Sequence, residues 1–216
     1  MYSLSRIVRG LKNRPQRALY HWRLRRLVRQ TDTALVRVGS ATAGWVVPLA
    51  LIQPDWTCYC GGVGEDITFD LELIDRVGCS VHAFDPTPRA IAHVARVAAT
   101  CPSFRFTPIG LWSSNAEIRF YASRNPQLVN YSAVNLQGTD TFFVAETKRL
   151  STIMRELGHD RIDFLKIDIE GSEYEVLDSL IEDGVSTIKV LCVEFDQPMP
   201  ITRVYRQVQK VIDWGY

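Results

Sequence analysis

The sequence lacks any run of about 18 apolar residues, the length that a membrane-spanning helix requires. Its N-terminus also lacks the continuous apolar segment of a secretory signal. The 5 cysteines are odd in number and show no CxxC spacing, which argues against a disulfide framework or a zinc site. We therefore expect a cytoplasmic protein, with its 216 residues forming one domain of ordinary size.

Acidic residues are missing from the first part of the chain. Residues 1–31 contain 9 Lys/Arg and no Asp/Glu, whereas the remainder has 16 Lys/Arg and 24 Asp/Glu, a net charge of −8. The pattern predicts a basic N-terminal helical extension over residues 1–54, ahead of an acidic body. Residues 1–31 could contact a membrane surface or a polyanion, serve as an organellar targeting peptide, or form a solvated helix. The acidic body and the absence of a nucleic-acid motif argue against binding to nucleic acid.

From about residue 55 onward, short apolar runs alternate with helical periods. The segments WTCYCG, CSVHAFD, FRFTPIGLW, IDFLKID and STIKVLCVEFD are predicted strands. Thr87 followed by Pro88 predicts a helix start, and so does the capping box formed by Ser172 and Glu175. Strands that alternate with helices predict an α/β domain over residues 55–216, with a mostly parallel sheet and helices on both faces.

Polar residues follow four of these strands. They are residues 62–66, Asp85, Asp168, and residues 194–196. Ligands of such sheets bind at the carboxyl ends of the strands, near the point where strand order reverses. The acids in DFLKIDIEGSE are therefore predicted to belong to a site rather than to a solvated turn.

The glycine loop Cys60-Gly61-Gly62-Val63-Gly64 and the acid about 20 residues later predict a nucleoside ligand. A dinucleotide fingerprint would have a third glycine where this chain has Ile67. Glu65 and Asp66 also lie where a pyrophosphate would bind, and their charge would repel phosphates. A ligand with a ribose, positive charge and no phosphate, such as S-adenosylmethionine, fits better than NAD.

The chain resembles the FkbM-type S-adenosylmethionine-dependent methyltransferases over roughly residues 55–216. The resemblance rests on GVGEDITFD, HAFDPTP, FTPIGLW and, above all, RLSTIMRELGHDRIDFLKIDIEGSEYEVL. It implies a Rossmann-like methyltransferase fold and methyl transfer, commonly to a hydroxyl oxygen. It also implies that the chain lacks the final pair of strands that normally follows VIDWGY.

The resemblance assigns roles to individual residues. Cofactor contacts are expected from Gly62, Gly64, Asp66, Phe84, Asp85, Pro86, Gly110, Leu111, Trp112 and Asp168, with Asp85 holding the ribose hydroxyls. The resemblance places Asp168 and Glu170 near the methyl group and the acceptor. With Asp196, a further acid that could act as the base, they are the candidate catalytic residues, and Glu194 is expected to contact the substrate. The first-strand acid usual in methyltransferases is replaced by Cys60, so Asp66 or Asp168 could supply its charge.

A carboxylate among these acids could take the proton of a hydroxyl acceptor, provided that its pKa is raised. The same acids could instead hold a divalent cation, for which no ligands are assigned. The long connection 122–140 is either a substrate loop, with Tyr131, Ser132 and Asn135 as the expected substrate contacts, or a surface loop. We predict a methyltransferase that acts on a sugar, glycan or glycosylated metabolite. The alternatives are an NAD-dependent oxidoreductase and a cofactor-binding module without catalysis.

Overall fold

The structure is a computed structural model that describes residues 14–27, 32–98, 101–124, 131–135, 137–195 and 200–216. In chain order the elements are α1 (Arg14–Leu27), β1 (Val36–Val38), β2 (Trp45–Val47), a 3-10 turn (Leu49–Leu51), β3 (Thr57–Gly61), α2 (Thr68–Val77), β4 (Ser80–Phe84), α3 (Pro88–Val97), β5 (Phe104–Thr107), β6 (Gly110–Leu111), β7 (Ala116–Ala122), β8 (Tyr131–Ser132), β9 (Phe142–Lys148), α4 (Leu150–Leu157), β10 (Phe164–Ile167), α5 (Glu173–Glu182), β11 (Val190–Val193) and α6 (Ile201–Trp214). Contacts divide the chain into two units, Thr33–Asp196 and Met1–Asp32 with Gln197–Tyr216.

The larger unit is built on a five-stranded sheet in the order β11-β10-β3-β4-β5, in which all neighbouring strands are parallel. Cys58 and Cys60 of β3 pack on one face with Phe69 and Leu73 of α2. On the opposite face the Tyr59 hydroxyl lies 2.7 Å from Nδ1 of His159, which follows α4. Strands that are covered on both faces bury nearly every side chain, which explains their continuous apolar sequences. The predicted α/β fold with a helix-flanked parallel sheet is confirmed.

Among the described residues, β11 is followed by the helix α6, and the parallel sheet contains five strands. The predicted cap of α3 is confirmed, because Thr87 Oγ1 accepts a hydrogen bond from the Ala90 amide and Pro88 is the first helical residue. The predicted capping box of α5 is wrong, because the Ser172 side chain makes no capping hydrogen bond.

A second, four-stranded sheet lies between β5 and α4 in the sequence. Its order is β6-β9-β7-β8; β7 is antiparallel to both β8 and β9, and β6 is parallel to β9. The Phe120 and Phe143 rings stack with centroids 5.3 Å apart, and the Tyr131 ring meets Phe143 edge-on. Part of the predicted loop 122–140 is therefore the strand β8 of this sheet. Residues 125–130 and 136 lie outside the described residues.

The prediction of a helical extension over residues 1–54 is wrong for residues 36–47, whereas residues 1–13 and 28–31 lie outside the described residues. Residues 36–47 form a hairpin of β1 and β2, and its side chains Val38 and Val47 are fully buried in the core beside α2. The Gly39 amide donates to Glu72 at 2.6 Å, and the Ser40 amide donates to Thr68 at 2.8 Å. The hairpin is therefore part of the larger unit rather than of a basic extension.

The smaller unit contains α1 packed on α6. The Tyr20 and Tyr205 rings meet edge-on with centroids 5.3 Å apart, and the Arg23 guanidinium lies 5.3 Å from the Tyr20 ring. Within the part of the chain that is described, no helix is both long enough and apolar enough to cross a membrane.

Candidate functional site

A cavity of about 260 Å³ lies at the carboxyl ends of β3, β4 and β10. Nine of the ten predicted cofactor residues line it: Gly62, Gly64, Asp66, Phe84, Asp85, Pro86, Gly110, Leu111 and Asp168. Glu170 and Tyr131, predicted as catalytic and substrate residues, line it too. Trp112 does not line this cavity, and its amide donates to the Lys148 carbonyl at 3.1 Å.

Gly62 and Gly64, which follow β3, differ in how much space a side chain would have at each position. Gly62 has a φ of +74°, and a Cβ on it would lie 1.6 Å from the carbonyl oxygen of Asp168. This close approach brings the loops that follow β3 and β10 together at the cavity. Gly64 also has a positive φ, +55°, but a Cβ there would meet no atom within 4 Å. A side chain at Gly64 would therefore project into open space beside the cavity lining.

Asp85 holds the loop after β3 in place. One of its oxygens accepts hydrogen bonds from the amides of Val63 at 3.1 Å and Gly64 at 2.9 Å. The other accepts from the amide and the hydroxyl of Thr87, at 2.8 and 2.6 Å. A carboxylate has about four acceptor sites, so these bonds fill it. The ribose contact stays a prediction, and it would require Asp85 to release one bond, most simply that of the rotatable Thr87 hydroxyl.

Hydrogen bonds from the protein also occupy the carboxylate of Asp66, just before α2. Its oxygens accept from the Ser40 hydroxyl at 2.7 Å and from the Thr68 amide at 3.0 Å. Burial alone would raise the pKa of this carboxyl, but hydrogen bonds from Thr68 and Ser40 lower the pKa below its ordinary value. Its neighbour Glu65 forms an ion pair with Arg89 at 2.6 Å. Both carboxylates therefore lie where a pyrophosphate would have to bind, which disfavours NAD.

A buried carboxylate also shapes the loop after β10. Glu173, at the start of α5, is fully buried, and its Oε1 accepts from the amides of Ile169 at 2.9 Å and Gly171 at 3.1 Å. Between these amides, Glu170 adopts a φ of +57°, unusual for a residue with a side chain. The Ser132 hydroxyl of β8 donates to the Glu170 carbonyl, so the second sheet supports this loop.

Asp168, in the same loop, is open to the cavity. Its side chain is 31 % exposed, and its Oδ2 lies 3.8 Å from Nζ of Lys166. Burial raises the pKa of Asp168, the charge of Lys166 partly opposes this, and the charge of Asp85 adds to it. A carboxylate whose pKa is raised is a better proton acceptor than an ordinary one.

A second cavity of about 450 Å³ adjoins the first, and the two share Ala43 and Asp168 in their walls. The lining of the second cavity consists of residues 42–46 of the hairpin, Asp168, and residues 193–195 at the end of β11. It therefore contains Trp45, Phe195 and the predicted substrate residue Glu194. Burial raises the pKa of Glu194, and the charge of Asp168 adds to that shift while Lys166 opposes it.

The remaining predicted residues lie elsewhere. Ser132 is not in the lining of either cavity, and its hydroxyl is engaged with the Glu170 carbonyl and the Val134 amide. Asn135 closes a turn through two hydrogen bonds with the backbone of Thr139, at 2.9 and 3.0 Å, and is not in either lining. Asp196 lies outside the described residues.

Sequence reasoning missed two charged residues of the first cavity, Asp70 and Lys166. Asp70 of α2 is 2 % exposed and Lys166 of β10 is 4 % exposed. A lysine inside the apolar strand FLKI was an available signal, because a charge at such a position is rarely buried without a partner. Asp70 had a weaker signal, since its helix position gave no indication that it would face Cys60.

The lining suits S-adenosylmethionine by three observations. The acids on it match a ligand whose charged groups include a sulfonium and an ammonium. Asp70 Oδ1 and Ser172 Oγ are buried without a hydrogen-bond partner among the described residues. Gly64 leaves space where a side chain would lie. In the same residues, no group of three or more His, Cys, Asp or Glu side chains could hold a metal ion.

The known proteins that this chain resembles are named as methyltransferases. The sequence profile of the methyltransferase FkbM domain matches residues 62–214. Proteins named "Probable methyltransferase-like protein 24" from Rattus norvegicus and Homo sapiens are 32 % and 31 % identical over 160 residues. Each match covers 73 % of this chain but only 38 % and 37 % of those proteins, so the chain spans well under half of their length. "Methyltransferase sdnD" from Sordaria araneosa is 39 % identical over 64 residues, covering 26 % of this chain and 25 % of that protein. No solved structure gives a significant match.

Proposed function

Because the chain belongs to the FkbM methyltransferase family, we propose that it transfers a methyl group from S-adenosylmethionine to a hydroxyl oxygen of a sugar-containing acceptor. The observation that carries this proposal is the position of Asp168 in the walls of two adjoining cavities. The first cavity, between the loops after β3 and β10, would bind the cofactor. The second, between the hairpin and the end of β11, would bind the acceptor.

The lining of the second cavity supports a neutral acceptor with several hydroxyl groups. Asp168 and Glu194 are hydrogen-bond acceptors for hydroxyls, and their charge would repel an anionic substrate. Trp45 and Phe195 add apolar surface of the kind that packs against the face of a sugar ring. Sugar hydroxyls therefore fit better than carboxylate or phosphate acceptors.

The cofactor supplies an electrophilic methyl group on a sulfonium, with a good leaving group. The protein has to align the acceptor oxygen about 3 Å from that carbon. With the cofactor bound, its sulfonium would donate the methyl group to the acceptor oxygen and S-adenosylhomocysteine would be the leaving product, while Asp168 would accept the hydroxyl proton on a carboxylate oxygen. Its position between the cavities and its raised pKa both suit this role.

The test combines ligand binding with a transfer assay. Calorimetry should detect binding of S-adenosylhomocysteine and not of NAD. S-Adenosylmethionine with a labelled methyl group, incubated with a panel of methyl glycosides, should give product labelled on oxygen. Binding of NAD alone would support an oxidoreductase instead. Binding of the homocysteine compound without transfer to any acceptor would support a non-catalytic binding module.

A contact of α1 with an anionic membrane surface is a second, separate proposal. Leu19 and Trp22, one turn apart, are 45 % and 52 % exposed, and the Arg26 guanidinium lies 4.4 Å from the centroid of the Trp22 ring. Exposed apolar side chains among arginines are typical of interfacial helices. The protein should sediment with vesicles that contain phosphatidylserine and not with pure phosphatidylcholine, and Trp22→Ala should weaken the binding. Equal sedimentation with both vesicles would contradict this proposal.

A further inference from the structure

Asp70 presents a buried oxygen without a partner to the first cavity. The residue lies on α2, its side chain is 2 % exposed, and its Oδ1 has no hydrogen-bond partner among the described residues. This carboxylate also interacts with the thiol of Cys60 and with the backbone of Asp70 itself. A buried carboxylate oxygen without a partner is unfavourable unless a ligand provides a donor.

Lys166 presents the opposite charge to the same cavity. Its Nζ donates one hydrogen bond to the Gly62 carbonyl at 2.8 Å, and its contact with Asp168 is long, at 3.8 Å. An ammonium group has three donors, so Lys166 keeps capacity for a ligand. The Trp45 ring, 5.4 Å away, covers it from the hairpin side.

Asp70 and Lys166 influence each other without forming an ion pair. Burial raises the pKa of Asp70, and the charge of Lys166 opposes this rise. The carboxylate within 4.0 Å of the Lys166 ammonium is that of Asp168, not that of Asp70. An acid and a lysine that line one cavity without contact complement a ligand that itself carries both charges. The amino-acid end of S-adenosylmethionine has one ammonium and one carboxylate.

The strand register explains why the acid is on a helix here. Cys60 of β3 lies opposite Lys166 of β10, at the position where the resemblance expects an acid. Asp70 on α2 covers this thiol, so its carboxylate replaces the missing one from a neighbouring element. Asp66 was one sequence-based candidate for that charge, but hydrogen bonds from Ser40 and Thr68 already occupy its oxygens.

We propose that Asp70 and Lys166 together bind the amino-acid end of the cofactor, with the Asp70 carboxylate accepting from its ammonium and Lys166 donating to its carboxylate. The inference rests on the proposed use of S-adenosylmethionine. It assigns the charge usually placed on the first strand to a helix, and it gives the buried lysine of β10 a ligand-binding role.

Calorimetry with matched ligands tests the role of Asp70. S-Adenosylhomocysteine carries the amino-acid end, and 5′-methylthioadenosine shares the nucleoside and thioether but lacks it. Asp70→Asn should weaken binding of the first compound at least tenfold and change binding of the second less than about threefold. Asp75→Asn, an exposed change on the same helix, is the control and should alter neither affinity.

Lys166→Met tests the other half of the site. It should weaken binding of S-adenosylhomocysteine about tenfold and leave unchanged the affinity for the analogue that lacks the carboxylate. The wild type provides a measurement that needs no variant to fold. It should bind the analogue of S-adenosylhomocysteine that lacks the amino group at least tenfold more weakly than the parent compound.

The outcomes separate this inference from the proposed function. Wild-type protein that binds neither S-adenosylhomocysteine nor methylthioadenosine would overturn both. Equal loss of the two ligands in Asp70→Asn would mean that Asp70 only maintains the fold, which overturns the inference alone. The same holds if the wild type does not distinguish the compound without the amino group from its parent.

Discussion

The loops after β3 and β10 meet at the same cavity, and each is shaped by a buried carboxylate that receives two backbone amides. The two loops differ in whether their other acidic side chains are engaged in hydrogen bonds. Beside the first loop, hydrogen bonds occupy the oxygens of both Asp85 and Asp66. In the second loop, the side chain of Asp168 has a single polar contact among the described residues, with Lys166 at 3.8 Å. The first loop uses its acids to fix a shape, whereas the second keeps one available for chemistry.

Asp168→Asn should have the largest effect on activity. The amide keeps the size of the side chain but cannot take the hydroxyl proton, so kcat should fall about 10²–10⁴-fold. Binding of S-adenosylhomocysteine, measured by calorimetry, should change little. Asp160→Asn, an exposed change just before the same strand, is the control and should retain full kcat. An unchanged kcat in Asp168→Asn would remove the distinction between the two loops.

The pH profile provides a further check on Asp168. Burial raises its pKa, and the base works only when deprotonated, so kcat should rise with pH along a limb that lies above the ordinary carboxylate value of about 3.9. Between the unfolded and the folded pKa, the folded state binds more protons, so the contribution of Asp168 to stability decreases as pH rises through that window. Asp168→Asn should abolish both effects, as measured by kcat and by urea unfolding over the same pH range.

Glycine substitutions test whether the first loop depends on its shape. Gly62→Ala should lower the free energy of unfolding by more than about 3 kcal/mol, because its Cβ would lie 1.6 Å from a backbone oxygen and its φ is +74°. Gly64→Ala, with a φ of +55° and open space around its Cβ, is the matched control at about 1 kcal/mol. Similar losses in both variants, measured by urea unfolding, would show that the loop can move away from Asp168.

The sequence allowed the sheet, the position of the cavity and most of its lining to be predicted, because these depend on local patterns. Buried parallel strands have continuous apolar sequences, and their carboxyl ends lie at the same edge of the sheet. Asp70 and the hairpin were not predictable in this way. Asp70 reaches the cavity through the packing of α2 on β3, and residues 36–47 join the core through contacts with α2. Both depend on tertiary packing that no local pattern encodes.

Asp85 shows how a predicted residue can have an additional role. The sequence spacing predicted a ribose contact, and the structure reveals four hydrogen bonds from the protein itself. The spacing alone could not distinguish the two, because an acid at this strand end faces both the glycine loop and the cavity. Substitution in the absence of ligand can separate them.

Asp85→Ala should therefore lower the free energy of unfolding by about 2–3 kcal/mol without any ligand, since the amides of Val63 and Gly64 lose a charged acceptor. A residue that contacts only ribose would leave the ligand-free protein unchanged. Glu65→Ala, in the same loop, removes one exposed ion pair with Arg89 and is expected to change stability by less than about 1 kcal/mol. Urea unfolding of both variants gives the comparison.

The smallest effect is expected at Ser132, where the second sheet supports the loop after β10. Ser132→Ala removes the donor to the Glu170 carbonyl and should lower the free energy of unfolding by about 1 kcal/mol. Because the hydroxyl is bonded to backbone and does not line either cavity, the KM for the acceptor should stay unchanged. Ser123→Ala, with an exposed contact to Gln137 at 3.3 Å, is the control. A raised KM with unchanged stability would instead favour the sequence-based prediction that Ser132 binds substrate, and the support of this loop would then come from Glu173 alone.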